Sequence, residues 1–382
     1  MSILCTEQHE IFRNKVRHFA EKEIKPIAAQ LDEKETFSVD LTKKMGQAGL
    51  FGIDIPQKYG GQGLDTLSYI IAVEELARVD GSQAATMAAH NSLGLAPIFL
   101  FGNEEQRKSY LPWLTSGEAL WAFGLTELAA GSDAQGVQSI AVENSDHWLV
   151  NGKKRYITNG SNQLMKGITV LAITNEENGK KHFSTILVNR ELEGVSTHRM
   201  LGKMMWRASD TAEVKLNNVK TPKDNLLGAQ GKGLAQMLKT LDSGRLSIAA
   251  MGLGLAQGAY EMAMSYAQER EQFGKPLAQN QVISFKLADM AMKLELARNT
   301  LYNACALKHS GRPFGKEAAM SKLYCSEIAK EVADEAVQIF SGQGLLKSSP
   351  IERFYRDQRI LQIGEGTSEI LRIVIGKHLG LA

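Results

Sequence analysis

The sequence carries little net charge, few cysteines and no long apolar run, and each shortage excludes a class of protein. Lys and Arg number 44 against 42 Asp and Glu, a formal net charge of +2. No Lys/Arg-dense block with interleaved aromatics is present, so a nucleic-acid-binding surface is not expected. The three cysteines, Cys5, Cys305 and Cys325, lie far apart, which predicts neither a disulfide framework nor a zinc site and fits a reducing compartment. No run of about 18 apolar residues occurs, so no membrane-spanning segment is predicted.

Sequence motifs for several common cofactors are also missing. The dinucleotide fingerprint Gly-x-Gly-x-x-Gly after a strand is absent. Its nearest approach, Gly252-Leu253-Gly254 with Gly258, falls inside a helical stripe and is interpreted as close helix packing. There is no Gly-x-x-x-x-Gly-Lys-Ser/Thr loop, and the eight histidines show no His-x-x-x-His spacing. A Rossmann nicotinamide enzyme, a nucleotide hydrolase and a zinc enzyme are therefore disfavoured, and no metal site is expected.

The first residues carry none of the usual targeting signals. The segment 1–8 has no basic stretch, no apolar run of signal-peptide length and no Arg- and Ser-rich character. The expected location is the cytoplasm, or the mitochondrial matrix if a presequence has been removed.

Hydrophobic periodicity divides the chain into three segments. With 382 residues, 43% hydrophobic and 23% charged, the chain has the composition of a globular protein of two or three domains. Residues 1–119 show helical periodicity, 120–231 show short alternating runs typical of antiparallel β-structure, and 232–382 are helical again. The predicted class is α+β, with a helical N-terminal domain, a middle β domain and a C-terminal helical domain.

Local signals refine this division. Thr6 is predicted to cap the first helix. Asn151-Gly152 and Asn178-Gly179 are predicted to form hairpin turns. The last segment begins with a long apolar stripe that Asp242–Arg245 interrupts, and further helices are predicted over 279–308 and 315–340.

The most informative feature is a carboxylate between two glycines, Gly364-Glu365-Gly366, followed by Thr367 and Ser368. Glycines on both sides allow turns closed to other residues and a close approach to a ligand. A lone carboxylate on such a turn is a candidate general base.

Two earlier blocks have ligand-binding character, each with a structural alternative. Block 125–133 (Leu-Thr-Glu-Leu-Ala-Ala-Gly-Ser-Asp) suits a loop whose amides contact an anionic or carbonyl-rich ligand, but Ser132 or Asp133 could simply cap a local turn. In block 148–160, Tyr156 and Thr158 offer an aromatic plane and a hydroxyl to a cofactor. The alternative there is an ordinary tight hairpin.

Three later blocks are similarly ambiguous. Asp242 and Arg245 stand at i, i+3, a spacing that usually gives a surface salt bridge. Block 270–277 could be a helix end with a proline stop, or Arg270 could bind a phosphate. Block 338–344 has the pattern of a helix end followed by a glycine turn.

Taken together, these blocks resemble the acyl-CoA dehydrogenase family over essentially the whole chain. The resemblance rests on Thr-Glu-x-x-Ala-Gly-Ser-Asp, Asn-Gly-x-Lys-x-x-Ile-Thr-Asn, Arg-x-x-Phe-Gly-x-Pro-Leu and Glu-Gly-Thr-Ser-Glu-Ile. Segments 90–94 and 101–106 are similar to the short-chain, butyryl-CoA dehydrogenase-like branch in particular.

The resemblance implies an all-α N-terminal domain, a middle antiparallel β-barrel, a C-terminal four-helix bundle and a homotetramer with FAD. It also implies an acyl-CoA substrate and an electron-transfer flavoprotein as acceptor. Residues implied to bind FAD are Phe123, Leu125, Thr126, Gly131, Ser132, Tyr156, Ile157, Thr158, Thr367 and Glu369, with Arg270, Phe273, Gln281, Gln338 and Gly342 serving a neighbouring subunit's FAD. Residues implied to contact acyl-CoA are Ser132, Asp242, Arg245 and Gly366.

By the same resemblance Glu365 is the catalytic base. It removes the α-proton of the thioester while a hydride leaves the β-carbon for flavin N5, giving a trans-2-enoyl-CoA. Some family members carry their base at the position of Gly244, where glycine cannot serve. Burial beside flavin and acyl chain is expected to raise the pKa of the Glu365 carboxyl.

Four residues depart from the family pattern. Leu128 replaces a common proline, Tyr156 a tryptophan, Met205 a glycine, and Gly364 a tyrosine. The glycine at 364 suggests a pocket open to a bulkier, branched or cyclic acyl group. Two alternatives stay open: a diverted member (oxidase, desulfinase or enoyl-CoA reductase), and a non-catalytic binding protein on this fold.

Overall fold

The computed structural model describes residues 4–381. Twelve helices and ten strands follow one another along these residues. The N-terminal helices are α1 Glu7–Phe19, α2 Lys25–Glu33, α3 Val39–Gln47, α4 Thr66–Ala77, α5 Gly81–Ala89, α6 Ala96–Phe101 and α7 Glu104–Thr115. The strands of the middle segment are β1 Leu120–Gly124, β2 Ile140–Glu143, β3 His147–Thr158, β4 Met165–Glu177, β5 Lys180–Asn189, β6 Val195–Arg199, β7 Thr211–Pro222 and β8 Leu226–Leu227. The remaining elements are α8 Gly233–Glu269, β9 Glu271–Gln272, β10 Lys275–Pro276, α9 Gln281–His309, α10 Gly315–Phe340, α11 Ile351–Asp357 and α12 Ser368–His378.

The first helix begins where the sequence predicts. The Thr6 hydroxyl accepts the amide of His9, and the His9 ring pairs in return with the Thr6 amide at 3.1 Å. This reciprocal cap satisfies two of the amides that a helix start leaves without partners. The predicted cap at Thr6 is confirmed.

One helical run is both long and apolar. Of the described residues, only Gly81–Phe101, which joins α5 and α6 through a π-helical turn, is long and apolar enough to cross a membrane. In its most apolar window 67% of residues are buried inside the protein. A core helix passes the same test of length and composition, so this run is weak grounds for a membrane span.

The middle segment forms one eight-stranded sheet in the order β6-β7-β3-β2-β4-β5-β8, with β1 beside β4. Most neighbouring strands are antiparallel, as predicted, but β1 and β2 both pair with β4 in parallel. The turn at Asn178-Gly179 is confirmed, since both residues have positive φ, 51° and 74°, as a two-residue hairpin turn requires.

The predicted hairpin at Asn151-Gly152 is wrong. Strand β3 passes straight through both residues, with an irregular register against β7 between Val150 and Gly152. The β2–β3 turn lies earlier, closed by the Asn144 amide donating to the His147 carbonyl at 2.8 Å. Gly152 is needed for another reason: a Cβ on it would lie 2.0 Å from Ser139 Oγ.

Helix α8 is continuous over 37 residues, so Asp242–Arg245 does not interrupt it. The interpretation of its glycines as packing sites is confirmed. A Cβ on Gly252 would lie 2.6 Å from the backbone carbonyl oxygen of Cys325 on α10. A Cβ on Gly254 would lie 2.2 Å from the backbone carbonyl oxygen of Glu74 on α4. Glycine therefore brings α8 close to helices on both sides.

The helical segments share one apolar core, which runs from α1 and α4 through α8 to α9 and α10, whereas the sheet has a core of its own. The changes of structure fall between α7 and β1 and just before α8. They support a division into domains 1–119, 120–231 and 232–382, which remains a proposal. The outermost residues of that division, 1–3 and 382, lie outside the described chain.

Candidate active site

Glu365 lies on a tight backbone turn immediately before α12. Its φ is 53° and that of Gly366 is 102°, and a left-handed conformation is uncommon for any residue other than glycine. The turn is fixed on both sides: the Gly364 amide donates to the Ile360 carbonyl at 2.8 Å, and the Thr367 hydroxyl caps α12 by accepting the Ile370 amide at 3.3 Å. Backbone strain of this kind is concentrated at functional sites.

The turn directs the carboxyl of Glu365 against α8. Although part of the residue is exposed, Oε2 is buried and has no hydrogen-bond partner among the described residues. A Cβ on Gly244 would lie only 2.0 Å from this oxygen. Gly244 therefore provides the space that the carboxyl occupies.

Burial raises the pKa of the Glu365 carboxyl to about 7, while the positive charges of Lys322 and Arg245 act in the opposite direction. A carboxyl with a pKa near neutrality is well matched to general-base catalysis. The expectation that the pKa is raised is met by this environment.

Two further groups lie near this carboxyl. Tyr69 on α4 is buried and its hydroxyl pairs with Ser247 Oγ at 2.9 Å; burial raises its pKa, and the Glu365 charge adds to the rise. Arg245 donates from Nη1 to Asp242 Oδ1 at 2.6 Å. Only 8% of the Arg245 side chain is exposed, and its buried Nε has no partner within residues 4–381, so this pair is not the surface salt bridge considered as an alternative.

The sheet brings together the two blocks that were predicted to line a cofactor. The Arg155 amide donates to the Thr126 carbonyl at 2.9 Å, which fixes the end of β1 beside the end of β3. Tyr156 has a φ of 60° and is 56% exposed, and the Arg155 guanidinium lies 5.4 Å from its ring centre. Phe123, Thr126 and Thr158 are half-buried, Leu125 and Ile157 are buried, and Gly131 and Ser132 are exposed.

The loop at Gly131–Asp133 is open. A Cβ on Gly131 would have no atom within 4 Å. Asp133 Oδ1 accepts the Gln135 amide at 3.1 Å, so the local cap considered for this block does exist, on Asp133. It leaves Ser132 exposed for contact with a ligand.

A buried ion pair beneath these two strands was not predicted. Lys154 Nζ donates to Glu127 Oε1 at 2.7 Å, to the Leu171 carbonyl at 2.8 Å and to the Leu125 carbonyl at 3.3 Å. Burial lowers the pKa of Lys154 to about 8, with Glu127 opposing the fall. Both groups are charged at neutral pH, and the ammonium links both blocks to β4.

Replacing Lys154 with Met is expected to lower the free energy of unfolding by about 3–5 kcal/mol, because Glu127 is left buried without its counter-charge. The matched control is Lys153→Met. Lys153 is 50% exposed and pairs with Glu213 at 2.9 Å, a contact worth about 0.2–1 kcal/mol. Guanidinium unfolding measures both. Equal losses in the two variants would contradict the importance of the buried pair.

A second group of predicted residues is not brought to Glu365 within this chain. Arg270 follows the end of α8, about 39 Å along the helix axis from Gly244. Phe273, in the β9–β10 hairpin, is 97% exposed with a φ of 55°. Arg270, Gln281, Gln338 and Gly342 are exposed as well.

The predicted residues of α12 lie at its first turn. Thr367 is half-buried and caps the helix, and Glu369 is exposed. The pKa of Glu369 is lowered, first by its own backbone amide and then by Thr367. Gly366 lies between Glu365 and this helix start.

The residues around Glu365 and at the ends of β1 and β3 fit flavin adenine dinucleotide (FAD). Of the fourteen buried side-chain polar atoms that lack partners among the described residues, four belong to the predicted blocks: Glu365 Oε2, Arg245 Nε, Arg155 Nε and Asn159 Oδ1. An orphaned buried polar atom is costly unless a ligand or water satisfies it. The exposed Tyr156 ring offers a stacking face, and the Arg155 guanidinium lies 5.4 Å from the centre of that ring.

Comparison with known proteins agrees with this geometry. Three acyl-CoA dehydrogenase profiles match in order: the N-terminal domain over residues 6–118, the middle domain over 122–219 and the C-terminal domain over 231–380. They define an FAD-dependent oxidoreductase that acts on a CH–CH bond. The chain belongs to the acyl-CoA dehydrogenase family.

Individual relatives are similar over their whole length. The short-chain specific acyl-CoA dehydrogenase of Clostridium acetobutylicum is 42% identical over 375 residues, 98% of each chain. A 3-(aryl)acrylate reductase of Clostridium sporogenes is 41% identical over 374 residues, 98% of this chain and 99% of the other. The structure of butyryl-CoA dehydrogenase from Megasphaera elsdenii superposes with a TM-score of 0.96 at 40% identity, covering 99% of this chain and 100% of the other. Other solved members contain FAD or FADH2.

Proposed function

We propose that this protein desaturates a short-chain acyl-CoA, with Glu365 as the base. The observation that carries the proposal is the Glu365 carboxyl, buried against Gly244 with Oε2 free and a pKa raised to about 7 by burial. The carboxylate takes the α-proton of the thioester, the Cβ–H bond breaks with its electron pair, and a trans-2-enoyl-CoA remains. Bound FAD supplies the acceptor for the β-hydride.

The other residues bind and orient. Ser132, Asp242, Arg245 and Gly366 are assigned to the acyl-CoA, and Phe123, Leu125, Thr126, Gly131, Ser132, Tyr156, Ile157, Thr158, Thr367 and Glu369 to FAD. The α-proton is a weak acid until hydrogen bonds polarise the thioester carbonyl, so correct placement of the thioester is as important as the base. Their grouping around Glu365 and at the adjoining ends of β1 and β3 supports these roles.

Anaerobic mixing with a panel of acyl-CoAs tests the proposed function. Bleaching of the flavin by butyryl-CoA or a branched acyl-CoA, with slow reoxidation in air, is the expected result. Fast peroxide release would instead identify an oxidase, and a protein that stays colourless with added FAD would identify a non-catalytic member.

The reverse reaction is a second candidate, favoured by the 41% identical relative named a 3-(aryl)acrylate reductase. The same carboxyl, once protonated, would return a proton to the α-carbon of an enoyl-CoA. Chemically reduced enzyme is mixed with crotonyl-CoA or cinnamoyl-CoA to test it. Reoxidation much faster than acyl-CoA bleaching would favour the reductase.

We further infer a homotetramer in which Arg270, Phe273, Gln281, Gln338 and Gly342 reach the FAD of a neighbouring subunit. All five are exposed, and α9 also presents a row of exposed apolar side chains: Val282, Phe285, Met292 and Leu296. Exposed apolar area of this kind usually marks an interface. A monomer by light scattering at micromolar concentration would refute the assembly. An electron-transfer flavoprotein as acceptor and a cytoplasmic location complete the proposal.

Within the short-chain class, the acyl group is proposed to be bulkier than the straight butyryl chain, branched or cyclic, because of Gly364. A Cβ on Gly364 would be in ordinary van der Waals contact with Ile360, 3.6 Å from its carbonyl oxygen, so the backbone would accept a side chain here and the glycine leaves that volume unfilled. Two other residues that depart from the family pattern lie in ordinary environments. Leu128 is 74% exposed, and Met205 packs against the helical core.

Gly364→Tyr is expected to lower kcat/KM for isobutyryl-CoA or a cyclic acyl-CoA roughly ten-fold more than for butyryl-CoA, since a filled pocket discriminates by about 1–3 kcal/mol. The control is Gly376→Tyr on α12, where a Cβ would have no atom within 4 Å. An unchanged preference in Gly364→Tyr would show that this glycine does not set specificity.

A further inference from the structure

Lys322 on α10 is a buried cation that no step above uses. Its side chain is fully buried, and a lysine is almost never found there without a specific partner. Nζ donates a 2.7 Å hydrogen bond to the carbonyl of Gly366, the residue that follows the proposed base. The ammonium group is therefore attached to the turn that carries Glu365.

This hydrogen bond acts at the strained part of the turn. Glu365 and Gly366 have consecutive positive φ values of 53° and 102°. Glycine adopts such a φ freely, but for Glu365 the conformation is strained and persists only where the surroundings hold it. The cap at Thr367 fixes the helix that follows, and the bond from Gly364 to Ile360 fixes the segment before. Lys322 holds the peptide between them from a different helix.

We infer that Lys322 is the positioning residue of Glu365: its ammonium group fixes the Gly366 carbonyl, and thereby the turn, and places a positive charge beside the carboxyl while leaving Oε2 free. The inference deepens the proposed function, since it assigns a role around the same base. Lys322 itself touches neither substrate nor cofactor in this assignment.

The charges around Glu365 come from four helices. The groups that interact with Glu365 or Lys322 are Tyr69 on α4, Arg245 on α8, Glu327 on α10 and Glu369 on α12. Asp242 on α8 and His378 on α12 lie one step further out, where Asp242 interacts with Arg245 and His378. Arg245 is salt-bridged to Asp242, whereas Lys322 has its hydrogen bond to a neutral carbonyl. The charge of Lys322 therefore interacts with the carboxylates around it, and among these Glu365 has the strongest interaction with Lys322.

Burial lowers the pKa of Lys322 to about 8, and the Glu365 charge opposes the fall. With the carboxyl at about 7, both groups are charged between these values. Removing the cation should therefore raise the pKa of Glu365 further, because the carboxylate would lose an opposite charge at close range. A role limited to packing predicts no such shift.

The test compares Lys322→Met with wild type by infrared titration. The carboxylic acid band that is present in wild type and missing from Glu365→Gln is followed against pH, without substrate. A rise of about one unit or more in the pKa of Glu365 is expected. In the flavin-loaded enzyme the bleaching rate of Lys322→Met, taken as a ratio to wild type, should then be about ten-fold lower at pH 6 than at pH 9, where the carboxyl is ionised in both proteins. A loss that remains at pH 9 measures the turn that Lys322 no longer fixes.

Lys330→Met is the matched control, because Lys330 lies on the same helix and is exposed; its titration should equal wild type. Lys322→Gln removes the charge but keeps an amide donor, and should shift the pKa as Lys322→Met does. A pKa of Glu365 that stays within about 0.3 unit of wild type in Lys322→Met, or a rate that falls equally at every pH, would overturn the inference.

A reciprocal measurement covers the case in which the Lys322 variants fail to fold. Coupled groups shift one another, so Glu365→Gln should lower the pKa of Lys322, read from the pH dependence of its 13Cε NMR signal in lysine-labelled protein, a signal that needs no access by a reagent. An unchanged profile would overturn the inference. Both titrations need no turnover, so they remain informative if no acyl-CoA bleaches the flavin and the proposed function fails.

Discussion

Glu365→Gln will leave the protein yellow but will abolish bleaching of its flavin by acyl-CoA. The amide has nearly the shape of the carboxyl and fits the space beside Gly244, but it cannot accept the α-proton. Loss of a positioned general base costs roughly 10²–10⁴-fold in rate. Anaerobic stopped-flow absorbance measures the loss, and flavin content per chain shows that the fold and the cofactor site persist.

The control is Glu118→Gln, which changes an exposed carboxylate between α7 and β1 and should bleach like wild type.

The stability of Glu365→Gln gives a second readout. Burial raises the pKa of folded Glu365 from 4.5 to about 7, so the folded state binds more protons and stability falls as pH rises through this window. Glu365→Gln removes that dependence and should be more stable than wild type at pH 8 but not at pH 4. Bleaching by Glu365→Gln at the wild-type rate would show that another group is the base.

Much of the organisation was predictable because it depends on local signals. The change from helical to alternating periodicity near residue 120, the turn at Asn178-Gly179 and the cap at Thr6 all come from neighbouring residues. The Gly364–Gly366 turn was recognisable for the same reason, since glycines mark backbone that other residues cannot adopt.

The errors in the sheet have two physical causes. Asn151-Gly152 has the composition of a turn, but β3 runs on through both residues, and Gly152 is needed there because Ser139 packs against it. Alternation from Trp148 and Val150 puts Lys154 on the buried face, yet a lysine is rarely buried without a partner, and that partner, Glu127, lies 27 positions away in sequence. The residues around Lys154 therefore could not predict the pair.

The site residues that the sequence did not reveal are placed by contacts between positions far apart in the chain. Lys322 lies 44 positions before Gly366 in sequence, and Tyr69 meets Ser247 across 178 positions. Lysine and tyrosine on helices are common outside active sites, and the sequence around them carries no motif. Only the packing of α4, α8 and α10 shows that they surround the turn of Glu365.

Gly244→Ala will lower the rate of bleaching by about 10²-fold or more while leaving the protein as stable as wild type. The new Cβ would lie 2.0 Å from Glu365 Oε2 and 2.9 Å from its Cδ, so the carboxyl must move. Those atoms are the free end of a flexible side chain, and moving them costs the fold little. Alanine also favours the helix over glycine by about 0.5–1 kcal/mol. A misplacement of about 1 Å at the reacting group costs about 10²-fold in rate.

Gly252→Ala on the same helix separates the two effects. Its Cβ would lie 2.6 Å from the Cys325 carbonyl oxygen and 2.9 Å from the carbonyl carbon, which are backbone atoms that cannot turn aside. That variant should lose about 1–3 kcal/mol of stability through overpacking, yet bleach normally per folded, flavin-loaded chain. Thermal unfolding and stopped-flow absorbance on both variants give the comparison. Normal bleaching in Gly244→Ala would mean that the carboxyl works from another position than the one beside α8, and the role of this glycine would then have to be abandoned.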